Sequence, residues 1–176
     1  MKLILHDLSE VEFNKIYKIP NIEEKISKDK IKIISDDSNI KNCIGCFCCW
    51  VKTPGECILE DSYQNMGEVL SKTDELIIIS ECCYGSYSSF IKNVLDRSIP
   101  YLLPFFKIIG NETHHLVRYK NKFKLKVYFY GENITNEEKN TAHKMIEANS
   151  INLNLKEYRV FFNDFSQLSI SEGGQS

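Results

Sequence analysis

The sequence predicts an α/β fold with a parallel sheet between two layers of helix, on three observations. Five short runs rich in Ile, Val, Leu and aromatics recur along the chain, helical spacing fills the intervals between them, and one run is apolar at nearly every position. Strands alternating with helices build a parallel sheet, and a strand covered on both faces loses the in-out alternation of a half-exposed one.

The runs are KLIL (2–5), IKIIS (31–35), ELIIIS (75–80), FKLKVYFY (123–130) and LKEYRVFF (155–162). Helical spacing is read in part of 9–28 and over 61–72, 88–99 and 135–149. Asp61 with Gln64 and Thr135 with Glu138 have the offset of a capping box, and Ser88 is placed as an N-cap before the apolar stripe Phe90, Ile91, Val94, Leu95 that Pro100 ends. In the fourth run Lys122, Lys124 and Lys126 alternate with the apolar positions, which predicts a solvated face. His114 and His115 fall in a stretch read as irregular after Pro104.

A chain of 176 residues with 43% apolar and 26% charged residues suits one soluble domain, expected over 1–163 with a loose tail over 164–176. The net charge of −2 gives no electrostatic basis for nucleic acid or an anionic membrane. MKLILHDL is too short an apolar run for a signal core or a spanning helix, so a cytoplasmic protein is expected. Seven cysteines, an odd number, then read as thiols or metal ligands and not as a disulfide framework.

In an open parallel sheet, ligands sit at the carboxyl ends of the strands. The loop SECCYGSYSS (80–89) at such an end offers aromatic faces, hydroxyls and backbone donors to a planar heteroaromatic ligand, although Ser, Gly and Tyr also make ordinary turns. YGENIT (130–135) lies at the end of the following strand. In CIGCFCCW, Cys43, Cys46 and Cys49 follow Cys-x2-Cys-x2-Cys spacing, with Cys57 further on. Those residues admit a four-iron cluster, a zinc ion, or thiols that pack the loop or exchange redox equivalents. No Ser-His-Asp set has a recognisable local context, and hydrolysis is unsupported.

The stretches CIGCFCCWVKTPGECILED and TDELIIISECCYGSYSSFIKNVLDR resemble the NAD(P)H-dependent FMN reductases and iron-sulfur flavoproteins of the flavodoxin-like superfamily. The resemblance is strongest over residues 31 to 100. It implies a flavodoxin-like three-layer sandwich with a five-stranded sheet of order 2-1-3-4-5. It also implies an oxidoreductase in which FMN takes hydride from NAD(P)H and passes electrons to a quinone, flavin or similar small acceptor. A homodimer or homotetramer is implied, with no nucleic-acid or membrane partner. Glu81, Cys82, Cys83, Tyr84, Gly85 and Ser86 map to the ring-binding loop, joined by Tyr130 and Gly131. His6 and Ser9 are the phosphate-side candidates, and Cys43, Cys46, Cys49 and Cys57 would ligate a [4Fe-4S] cluster.

Two departures qualify these expectations. Glu81 and Cys82–Cys83 stand where the family carries Pro and Val-Tyr, and a carboxylate facing the ring would oppose a reduced, anionic flavin. The first loop, HDLSEVEF, has neither the glycine nor the arginine of the usual phosphate loop, and it carries Asp7, Glu10 and Glu12. Each carboxylate within about 8 Å would cost on the order of 1 kcal/mol against a phosphate. A flavin-free binding or thiol-redox module, and a [4Fe-4S] electron carrier, are the alternatives these departures and the cysteines leave open.

Overall fold

The computed structural model describes residues 1–18, 22–28 and 30–171. Strand β1 (Lys2–His6) leads through the capped helix α1 (Glu10–Ile16) and short strand β2 (Tyr17–Lys18) to α2 (Ile22–Ser27) and β3 (Ile31–Ser35). After the cysteine loop, with its single turn α3 (Cys48–Val51), come α4 (Met66–Ser71), β4 (Glu75–Glu81) and α5 (Ser89–Asp96). A hairpin, β5 (Leu102–Ile109) and β6 (Glu112–Val117), precedes β7 (Lys124–Tyr130), α6 (Asn136–Asn152), β8 (Glu157–Asn163) and β9 (Ile170–Ser171).

The large sheet runs β3-β1-β4-β7-β8, all parallel, which is the expected order with the five sheet strands counted along the chain. The period of two along a strand divides the core. Leu3, Leu5, Leu76 and Ile78 face α4, α5 and α6, whereas Ile4, Ile77 and Ile79 join Phe13, Ile16 and Tyr17 of the α1 side. This is why ELIIIS lacks alternation: both of its faces are covered. On β7, Leu125, Val127 and Phe129 go to the first core, and the lysines between them form ion pairs, Lys126 with Glu75 at 2.8 Å and Lys124 with Glu157 at 2.6 Å.

Thr135 and Glu138 form the expected capping box of α6. Asp61 and Gln64 do not cap a helix, because α4 begins only at Met66 and Asp61 is taken by Arg97. Ser88 precedes α5 without a side-chain cap bond. The stretch expected as irregular is an antiparallel hairpin. Its turn residues Gly110 and Asn111 both have positive φ, 57° and 68°, the mirror-image turn that matches the twist of paired strands. The tail is docked at least to Ser171: β9 pairs with β2, and Leu168 and Ile170 are buried in the α1-side core. The expectation for 172–176 falls outside the described residues. Among the described residues no helix is long and apolar enough to cross a membrane.

Candidate functional site

Asp7 organises the carboxyl edge of the sheet. Its Oδ2 accepts from the Glu81 backbone N–H at 2.9 Å and from Ser80 Oγ at 3.4 Å, and its Oδ1 accepts from the Tyr130 hydroxyl at 3.0 Å. One carboxylate at the end of β1 thereby ties down the ends of β4 and β7. Burial first, and the Asp7 charge second, push the Tyr130 phenol far above its ordinary range.

The loop after β4 is a tight hairpin. Cys83 and Ser86 exchange two backbone hydrogen bonds of 2.9 Å around Tyr84 and Gly85, which have φ of 54° and 77°. A Cβ on Gly85 would lie 2.6 Å from the Glu138 carbonyl oxygen and 2.7 Å from Thr141 Cβ, so glycine is required both for the turn and for its approach to α6. Behind the turn, Cys82 N–H donates to the Tyr130 carbonyl, Ser88 N–H donates to Ser80 Oγ, and Ser86 Oγ contacts Met145 Sδ. Tyr84 is left projecting with 92% of its surface exposed, a free aromatic face at the tip. The Glu81 side chain is exposed while its N–H is fixed, and burial raises the Cys82 and Cys83 thiols above their ordinary values.

The phosphate-side residues occupy a different environment from that loop. His6 is 3% exposed and lies flat on Phe13, ring centroids 4.0 Å apart, with a buried Nδ1 that finds no partner. Burial lowers its pKa to about 4. A base whose folded pKa lies below its unfolded value of about 6.5 contributes stability fully above that value and loses it as pH falls towards 4. The global stability should therefore drop by about 3 kcal/mol between pH 6.5 and 4 from this group alone, and denaturant titrations of His6→Phe should show a correspondingly shallower slope. Ser9 caps α1, and the Glu12 carboxylate accepts from both its N–H at 3.0 Å and its Oγ at 2.6 Å. The anion at this end of the sheet is thus one of the chain's own, as expected from HDLSEVEF.

The four cysteines with cluster spacing, Cys43, Cys46, Cys49 and Cys57, line one cavity of about 400 Å³ together with Trp50 and His115. All seven cysteines are free thiols. Burial, reinforced by Cys57, Cys46 and Cys43, pushes the Cys49 thiol up to about 11. Hydrogen bonds from the Cys48 backbone N–H and thiol hold the Cys46 thiol below its ordinary value, which favours its thiolate. Among the described residues no group of three His, Cys, Asp or Glu side chains closes on a point where a single ion would sit. A four-iron cluster is a larger object than an ion, and four thiols around one cavity suit it by donor type and number.

Asp96 and Arg97 read from the sequence as a structural or dimer-surface pair on the helix after the 80–89 loop, and Arg97 is structural: it holds this loop. Arg97 is fully buried: Nη1 donates to Asp61 Oδ2 at 2.6 Å and the Lys41 carbonyl at 2.7 Å, and Nη2 to Asp61 Oδ1 and the Leu59 carbonyl, both at 2.9 Å. Both legs of the cysteine loop are pinned to the end of α5. Burial by itself would raise the Asp61 carboxyl, but the Arg97 guanidinium and the Lys41 and Tyr63 amides outweigh it and hold the group below its usual range. Trp50 anchors the loop's middle, its Nε1 donating to the Leu102 carbonyl at 3.0 Å.

No family model matches the chain. In sequence it is similar to an iron-sulfur flavoprotein of Archaeoglobus fulgidus, 29% identical over 101 residues that make up 56% of this chain and 49% of that protein. The chain thus spans about half the length of the curated relative it matches. In structure it is similar to an NAD(P)H:quinone oxidoreductase from Methanothermobacter marburgensis (TM-score 0.54, 13% identity, 93% of this chain and 86% of that one). It is also similar to an FMN-dependent NADH-azoreductase from Bacillus anthracis (TM-score 0.52, 12% identity, 96% and 89%). The strand order, the parallel pairings and these neighbours together give the chain a flavodoxin-like fold.

Proposed function

We propose that this chain is a flavodoxin-like oxidoreductase that binds FMN at the carboxyl edge of the sheet and moves electrons from NAD(P)H to a small-molecule acceptor. The observation that carries the reading is the Asp7 hub, which ties the end of β4, where the Tyr84–Gly85 loop begins, to the end of β7 in a fold shared with an FMN-dependent reductase. FMN, when bound, supplies a ring that accepts hydride and passes electrons to a quinone, flavin or similar acceptor. Tyr84 offers that ring a stacking face at the tip of a turn that is already closed by its own hydrogen bonds. At the start of α1 a phosphate would have to displace the Glu12 carboxylate from Ser9. The exposed Phe105, Phe106 and Ile108 of the hairpin support a homodimer or homotetramer, to be checked by light scattering.

A [4Fe-4S] cluster held by Cys43, Cys46, Cys49 and Cys57 is the second reading, favoured by their shared cavity. Protein purified without oxygen separates the readings by its absorption spectrum. Two flavin bands support the first, a broad shoulder near the visible edge supports the second, and a colourless protein with reactive Cys46 supports a flavin-free thiol module. For the cluster, Cys46→Ser should abolish bound iron, and iron content equal to that of the wild type would reject this ligand set.

A further inference from the structure

The packing of α5 and α6 on the sheet leaves a space between the two helices. A cavity of about 270 Å³ lies there over Leu76, Ile78 and Leu125, roofed by Leu102 and His115 of the hairpin. We propose that this cavity is a second ligand site, distinct from the strand-end rim, for a neutral fused two-ring aromatic carrying one hydrogen-bonding oxygen or nitrogen.

Size sets the first part of that description. An apolar cavity of about 150 Å³ holds a benzene; at that ratio 270 Å³ accommodates about ten or eleven ring and substituent atoms. The lining sets the second. Leu and Ile side chains dominate it, and its polar groups are few: Asn149 and Asn152 of α6, Tyr87, Ser98, His115 and Asp96. Asn152 Oδ1 is taken by His114 Nδ1 at 2.9 Å, which leaves its donor half for a ligand, and Asn149 Nδ2 makes only a long 3.4 Å contact with the Tyr87 hydroxyl. Charge sets the third. The lining's one carboxylate, Asp96, is paired with Lys92 at 2.8 Å, and no cation faces the space, so an ionised ligand would enter without a counter-charge.

Asp96, Ile99 and His115 line both this cavity and the cysteine cavity, so the two adjoin across a wall of three side chains. His115 is held at that wall by its bond to the Leu103 carbonyl at 2.8 Å and by contacts with Trp50 and Phe106.

The test is calorimetric titration of the full chain with 1-naphthol and with naphthalene. The expected result is saturable binding of 1-naphthol at one site per chain, lost in Leu153→Trp, where an indole fills the space. Asn149→Leu should lower 1-naphthol affinity about fivefold to tenfold and leave naphthalene within twofold, whether or not Leu153→Trp folds. Absence of saturable 1-naphthol binding to the wild type would overturn the proposal. So would undiminished binding in a folded Leu153→Trp, or equal effects of Asn149→Leu on the two probes.

Discussion

Replacing Arg97 with methionine is expected to cost about 3–5 kcal/mol of stability, because it strands the buried Asp61 carboxylate and two carbonyls in one step. In a chain of 176 residues that corresponds to a fall in Tm of about 10 °C. The loss should be selective in space. Hydrogen exchange in the cysteine loop should rise first, since Lys41, Leu59 and Asp61 are all released, while β4 and β7 stay protected. The pH dependence follows from the lowered Asp61 carboxyl. A carboxyl depressed in the folded state contributes stability above its unfolded value of about 3.9 and loses it as pH falls through the folded value. Below about pH 4 the wild type should therefore weaken towards the variant, and the two unfolding curves should approach each other.

Asp7→Ala is the second large effect. It removes the acceptor for the Glu81 N–H and the Tyr130 hydroxyl, while the Ser80 hydroxyl keeps the Glu81 carbonyl at 2.9 Å; each buried donor left unmatched costs about 1–3 kcal/mol. With water reaching the exposed Glu81, a net loss of about 2–3 kcal/mol is expected. Tyr130 should respond separately, because the nearby charge that adds to its burial is gone. Its phenol should titrate at lower pH in Asp7→Asn than in the wild type, measured by tyrosinate absorbance. An unchanged titration would show that Asp7 does not govern the rim.

Most of the sheet was legible because its signals are local. Short apolar or alternating runs placed all five strands of the large sheet, and the uniform run at 75–80 announced its burial on both faces. The hairpin was missed although LPFFKII and THHLV flank a Gly-Asn pair that suits a mirror-image turn. Pro104 within the first run argued against a strand, whereas β5 pairs only with β6 and tolerates a proline. The site was legible by position and not by partnership. The loops at 80–89 and 130–135 were placed at the strand ends, but the pairing of Asp7 with Tyr130 spans 123 residues and that of Asp61 with Arg97 spans 36. No spacing rule reaches that far. His6 shows the same limit: a donor type at a strand end became a core ring because Phe13 of α1 packs flat on it.

The most direct measurement is an absorbance titration of the purified full chain with FMN and, in parallel, riboflavin. Saturable binding of FMN at one per chain, with a shifted two-band spectrum that weakens about tenfold in Tyr84→Ala, is the expected result. Glu12→Gln should raise the affinity for FMN about fivefold and leave riboflavin unchanged, since it removes a charge that opposes only the phosphate. A colourless protein that takes up neither flavin would contradict an FMN site at the Asp7 rim.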